Sequence, residues 1–507
     1  MAINQIKGGI VLNYVIIGLN IVLGLLYTPY MLRMLGQNEY GLYSLVASII
    51  AYLTLLDFGF GNAIVRYTAK LISEGKQKEQ WELNGMFIVI YSLIGLLAVG
   101  VGIILYNNVE WLFDAKMTQD DIAQAKIMIV LLIINLALTF PLSVYGSIIV
   151  AYQDFIFQKI LTLCRLLFTA LTIVILLYLG YKAIAMVVVQ TIFNLGILFI
   201  NCIYCFKKLH IKVWFSNLKF TILKEIAHYS FWVFLSQIID RVYWGSGQFV
   251  LGSLIGTTAV AIFSVAILLQ QMYMTFSSSI SSVLLPKITA MANDSGNEVA
   301  ISNLFIRTGR IQAVVMALIL FGFYIFGSSF IKLWAGNGYT EVYPITLLFF
   351  TALFIPTIQT TGYTILQARN QMKFRSIVYL FISICSLILQ VVFTKIFGIM
   401  GCAYAIGGAL ILGQGLVMNI YYYKKQKIDI PLFWKETIKI MIAPIVLTLL
   451  AKMIIPESKL LCNWGSLLVA ILLFTTAYGI IVYLCSLNQY EKQLFKSTIL
   501  VIKRIRK

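Results

Sequence analysis

Phe231–Ile255 reads FWVFLSQIIDRVYWGSGQFVLGSLI, an apolar run of helix length with Asp240 and Arg241 near its middle. It is too long and too apolar for the core helix of a water-soluble domain, and about 20 such residues cross the hydrocarbon of a bilayer. A charge at the centre of a membrane helix costs roughly 2.5 to 3.5 kcal/mol, so two adjacent charges call for water, a partner or a function. Neighbours on a helix point about 100° apart, so Asp240 and Arg241 do not neutralise each other side by side. Each is expected to seek the protein interior, which makes this helix a candidate cavity wall. The alternative is an interhelical ion pair that only locks packing.

The rest of the chain fits that setting. Its 507 residues are 61% hydrophobic and 11% charged, with a mean hydropathy of +0.92, whereas soluble globular proteins are about 25% charged. Long continuous apolar runs point to helices rather than barrel strands as the spanning elements, so the expected class is an all-α polytopic membrane protein. The net charge of +19 would suggest nucleic acid only if the cations shared one contiguous face. They punctuate apolar runs instead, and no nucleic-acid partner is expected. Seven cysteines lie in or beside those runs without framework spacing and read as small core residues. Neither they nor His210 and His228 suggest a metal site. Ile10 to Leu35 is too long for the apolar region of a signal peptide and is expected to stay as the first span.

Apolar windows place spans near 10–35, 40–68, 85–106, 127–151, 160–179 and 183–206, then 231–255, 258–285, 311–333, 344–367, 376–397 and 401–423, and finally 438–455 and 464–486. The total is fourteen. The expected organisation is an N-lobe over 1–206, a basic amphipathic linker over 207–229 lying along the membrane surface, a C-lobe over 230–423, and 424–507 with two further helices and a basic tail. Of the 38 lysines and arginines, 29 fall in the termini and the loops after even-numbered spans, against eight in the odd loops. That bias places both termini in the cytoplasm.

A shift of 220 residues lays LGQNEYGLYSLVASI from Leu35 over IGTTAVAIFSVAILL from Ile255, with Gly36 on Gly256 and Ser44 on Ser264. Further on, Pro141 and Gly146 meet Pro356 and Gly362 with one inserted residue. Six helices separate the copies, so the repeats are expected to be parallel, forming two pseudo-symmetric six-helix lobes around a central cavity.

The stretch from Thr28 to Lys70, TPYMLRMLGQNEYGLYSLVASIIAYLTLLDFGFGNAIVRYTAK, resembles the start of bacterial polysaccharide repeat-unit flippases, members of the multidrug, oligosaccharidyl-lipid and polysaccharide exporter superfamily. Leu35-Gly36, Glu39-Tyr40-Gly41-Leu42-Tyr43, Asp57-Phe58-Gly59 and Arg66-Tyr67 carry the likeness. The resemblance implies a flippase in the bacterial cytoplasmic membrane that carries undecaprenyl-diphosphate-linked oligosaccharide to the outer leaflet by alternating access, for lipopolysaccharide or capsule biosynthesis. Polysaccharide polymerase and glycosyltransferases would be its partners. It also implies cavity-facing cations that engage the diphosphate, although the chain shows no dense arginine lining.

A sugar diphosphate needs a wet, polar groove, because hydrocarbon solvates neither its charge nor its hydroxyls. Arginine's fork of donors suits phosphate oxygens. Arg241 is the leading candidate for depth. Arg66, Arg307 and Arg310 lie nearer cytoplasmic helix ends, where snorkelling is the plainer reading, and Arg165 is placed with them. Gln271, with Gln270 and the serines and threonines of spans eight and ten, is a candidate for sugar hydroxyls or for gluing helices together. Asp57 and Asp240 are candidates to bind a coupling Na+ or H+, and Asp57 is equally a packing carboxylate. No cofactor and no enzymatic chemistry are expected, since no P-loop, catalytic carboxylate pair or Ser/His/Asp set stands in an exposed segment. Two other readings are a cation-coupled multidrug or small-solute antiporter of the same superfamily, and a membrane-embedded polymerase or glycosyltransferase.

Overall fold

The computed structural model describes residues 2–113, 117–215, 220–282, 288, 290–291, 298–369, 371–454 and 463–493, without the side chains of 2–4, 6–7, 220–233, 236 and 282. Residues 216–219 of the expected surface linker, the side chains of 220–229 and the last basic residues of the tail therefore lie outside the described residues. Every regular element among those described is helical, as a backbone in hydrocarbon requires.

The chain divides into two compact units, Met1–Ser264 and Val265–Lys507. In the first, α1 (Ala2–Leu53) is kinked at Gly36, with φ 73°. A single 3-10 turn, Thr54–Asp57, then interrupts the path, and Phe58 and Gly59 take left-handed backbone (φ 50° and 71°) before α2 (Phe60–Ser73). There follow α3 (Gln77–Phe113), α4 (Gln119–Ala151), α5 (Phe155–Tyr178), α6 (Ala183–Lys207) and α7 (Phe220–Leu254). Thr118 and Asp121 start α4 with a reciprocal capping box. The division between units falls inside α8 (Thr257–Ser282).

The second unit continues with α9 (Glu298–Trp334), then a span broken at Gln359 into α10 (Val342–Ile358) and α11 (Thr360–Ala368), with a bend of 41°. After α12 (Met372–Phe397), a single span runs from α13 (Ile399–Leu410) through a π-helical stretch into α14 (Asn419–Lys424). It ends with α15 (Ile430–Ile454) and α16 (Trp464–Ile481).

Eleven of these helices are long and apolar enough to cross a membrane, or twelve with the broken span. One of the eleven, Gly8–Ser73, is long enough for two crossings on either side of the Gly36 kink, while α7, with its two charges, is not among them. A helix covers each of the fourteen expected spans. Several boundaries differ from expectation: spans one and two meet at a kink rather than a loop, span ten breaks after Pro356, α5 begins at Phe155, and α7 begins at Phe220, so the second half of the expected linker 207–229 is the first part of that helix. Gly36 and Gly256, which the repeat superposes, both have positive φ, 73° and 124°.

The core of the first unit is knitted from α2, α3 and α4 around Ile64, Phe87, Tyr91, Val144 and Ile148, all fully buried. Leucine and isoleucine left exposed, such as Leu96, Ile104, Leu472 and Ile480, form the apolar outer surface that lipid requires. Past α6 the chain straps back over α3. The Trp214 amide donates to the Trp81 carbonyl at 3.1 Å, the two indoles sit 5.3 Å apart, and Lys212 lies over Trp81. A Cβ on Gly85 would fall 2.1 Å from the Trp214 carbonyl oxygen, so only glycine admits the strap there.

Candidate functional site

Asp57 sits where α1 gives way to α2. Its carboxylate accepts the Tyr91 hydroxyl at 2.6 Å and the backbone amides of Gly59 and Gly61. It therefore caps the amides freed by the break, a favourable place for negative charge. Phe58 packs against Phe234 of α7, with ring centroids 4.7 Å apart and planes tilted by 51°, so the break and α7 meet.

On α7, Ile239, Tyr243, Ser246 and Val250 are buried. Asp240 and Arg241 are exposed, Arg241 on the side away from that stripe and Asp240 about 90° round from it. The Tyr52 hydroxyl donates to the Arg241 carbonyl at 3.2 Å, fixing the backbone there. No protein acceptor reaches the Arg241 guanidinium among the described residues.

The other expected cations separate. Arg66 stands with Asn62 and Lys70 on the exposed face of α2, opposite buried Ala63, Ile64 and Thr68. Arg307 is exposed and lies 4.7 Å over the Tyr490 ring. Arg310 is used differently: its Nε and Nη2 grip Glu491 at 2.7 and 3.0 Å, Nη1 binds the Glu436 carboxylate at 2.7 Å, and the carbonyls of Glu436 and Ser486 take the two remaining N–H groups. All five donors are spent inside the protein. Arg310 thus leaves the set expected to receive a headgroup and joins the core that pins the chain's last described segment to α9 and α15.

Of the polar residues on spans eight and ten, Gln271 is exposed. Buried Ser277 donates to the Thr357 carbonyl, and Gln312 donates to Ser281 at 2.8 Å and to Thr360 at 2.6 Å. These bonds hold α8 and α9 to the broken span, so this set serves as helix glue.

Arg165 is the residue whose place the sequence hid. Because α5 begins at Phe155 rather than near 160, Arg165 lies ten residues in, about 15 Å along the axis. Its Nη1 donates to Asn194 Oδ1 at 3.1 Å, and Asn194 Nδ2 donates to Asn135 at 2.8 Å and Thr139 at 2.9 Å. Three helices therefore orient one mid-depth arginine.

Comparison with known proteins gives this arrangement a context. Residues 6–292 match the family described as polysaccharide biosynthesis protein. An uncharacterized membrane protein of Bacillus subtilis (strain 168), EpsK, is 20% identical over 501 residues, covering 96% of both chains. Among solved structures, one titled lipid II flippase MurJ in an inward closed conformation superposes with a TM-score of 0.73 at 17% identity, covering 96% of this chain and 99% of that one. An inward-facing multidrug resistance MATE family transporter superposes at 0.63 with 14% identity, covering 81% and 96%. At these identities the likeness to solved structures establishes the fold.

Proposed function

The chain belongs to the polysaccharide biosynthesis protein family, and on that premise we propose that it is a flippase for undecaprenyl-diphosphate-linked oligosaccharide repeat units. It moves them from the cytoplasmic to the outer leaflet by alternating access, in the synthesis of a surface polysaccharide. It works in the bacterial cytoplasmic membrane with both termini inside, alongside glycosyltransferases and a polymerase, as a transporter and not an enzyme. The observation that carries this reading is Arg241, exposed near the middle of the long apolar run of α7 with no protein acceptor for its guanidinium among the described residues. Hydrocarbon does not solvate such a guanidinium, and a diphosphate headgroup supplies both charge and hydration. The fold shared with a protein titled a lipid II flippase supports the same reading. Arg241 and Arg66 in the first unit and, separately, Arg307 and Gln271 in the second are the headgroup contacts proposed, with the expected lobes 1–206 and 230–423 as the moving parts. Asp57 and Asp240 are the proposed stations for a coupling ion.

The test is a deletion strain assayed for lipid-linked repeat units trapped on the cytoplasmic face, complemented with the wild type and with Arg241→Ala. Wild type is expected to clear the trapped lipid and Arg241→Ala to fail. Full rescue by the variant removes Arg241 from the site. The likeness to a multidrug transporter favours a second reading, cation-coupled antiport of small solutes. That reading requires drug efflux under a cation gradient, and loss of drug resistance on deletion without trapped repeat units would select it.

A further inference from the structure

Helix α5 carries a polar line that no role above explains. Between Gln158 and Thr172 its uncharged polar residues and its arginine are Gln158, Thr162, Arg165, Thr169 and Thr172. Their spacings of four, three, four and three put all five on one narrow face. None of the five is buried, and Arg165 is exposed. Phe168, Leu171 and Ile175, also exposed, occupy a different face, so α5 has an apolar outer side and a separate, half-open polar side. The line runs about 21 Å along the axis, most of the thickness of a hydrocarbon core. Gln158 donates to the Gly146 carbonyl of α4 and Thr162 to the Gln158 carbonyl one turn back, while the guanidinium at the centre of the line still calls for water or a polar ligand.

Arg165 marks the middle of this track. Apart from Asn194, no protein acceptor meets its guanidinium among the described residues, so four of its five N–H groups remain to be satisfied. Asn194 is itself tied to Asn135 and Thr139. The relay fixes the guanidinium in place and prepares its remaining fork for an anion, at a small entropy cost on binding.

We infer that the polar face of α5 is a binding track for a diphosphate-bearing headgroup, with Arg165 gripping the phosphate oxygens at mid-depth and the threonines on either side meeting hydroxyl groups. This deepens the flippase reading and rests on it for the identity of the lipid, while the diphosphate site itself is testable without any oligosaccharide. Asn194 is a positioning residue that acts through Arg165.

The experiment measures binding of farnesyl diphosphate to the purified full chain in detergent, with farnesol and inorganic pyrophosphate as comparison probes. Wild type is expected to bind farnesyl diphosphate and to ignore farnesol. Arg165→Ala should weaken binding at least tenfold. Arg165→Lys should recover part of that loss, keeping the charge without the fork, and Asn194→Leu should cost about threefold. Thr169→Val, which keeps the shape of α5, should leave diphosphate binding intact and slow clearance of trapped repeat units in the deletion strain. Binding by Arg165→Ala within threefold of wild type overturns the proposal, as does wild-type binding of farnesol equal to that of farnesyl diphosphate. Pyrophosphate binding as tight as that of the farnesyl compound keeps the anion site but detaches it from lipid. Diphosphate binding that depends on Arg165 in a chain that clears no repeat units sinks the flippase reading alone; clearance unaffected by Arg165→Ala sinks the track alone.

Discussion

Arg310 and Arg165 are both well inside helices, and the protein treats them in opposite ways. Arg310 in the second unit is buried, with every N–H bonded to two carboxylates and two carbonyls. Arg165 in the first unit offers one N–H to Asn194, and Arg241 offers none to a protein acceptor among the described residues. The contrast teaches that depth in a span does not mark a functional cation; unspent donors do. A buried arginine whose fork is filled holds the fold together, while one held by a single relay remains available to a ligand.

Stability measurements on purified variants test this contrast. The largest effect is expected from Arg310→Met, which strands the buried Glu491 carboxylate. A loss of roughly 3 to 5 kcal/mol is expected, seen as a collapse of the thermal midpoint, and a near-normal midpoint would erase the distinction. Next comes Asp57→Ala, which leaves the Tyr91 hydroxyl and two amides without their acceptor, for a loss of about 1 to 3 kcal/mol. Asp57→Asn, which keeps an oxygen in place, should lose clearly less in the same melt. Arg307→Ala removes only its contact over Tyr490, and a change of about 0.5 to 1 kcal/mol is expected. Smallest of all should be Arg241→Ala, within about 0.5 kcal/mol of wild type, although it is expected to abolish complementation. If Arg241→Ala melted like Arg310→Met, the two kinds of arginine would be one.

Much of the architecture was legible because membrane helices announce themselves by continuous apolar runs. The spans, the glycines at 36 and 256, and a bend near Asp57 all follow from local sequence. The register that lays Gly36 on Gly256 also lays Asp57 on Ser277, yet only the first of these positions is a break. In the second unit the break falls after Pro356, in a different helix. The fate of Arg310 was illegible because its partners stand 126 and 181 residues away, and no spacing rule reaches that far. Arg165 was misplaced for a smaller reason: Gln153, Asp154, Gln158 and Lys159 flank the three apolar residues Phe155–Phe157 and hide that the helix has already begun. The polar line of α5 was in plain view, but period alone does not say whether such a face is packed or open.

The strap of Trp214 over Gly85 shortens the tether of the helix that carries Asp240 and Arg241. Measured from the end of α6 at Lys207, thirteen extended residues would let the start of α7 wander by about 45 Å. Pinned at Trp214, the chain has six residues left to reach Phe220, an upper limit of about 21 Å. A bulkier residue at position 85 would unfasten that leash, more than doubling the reach of α7 while leaving every charged residue in the membrane untouched.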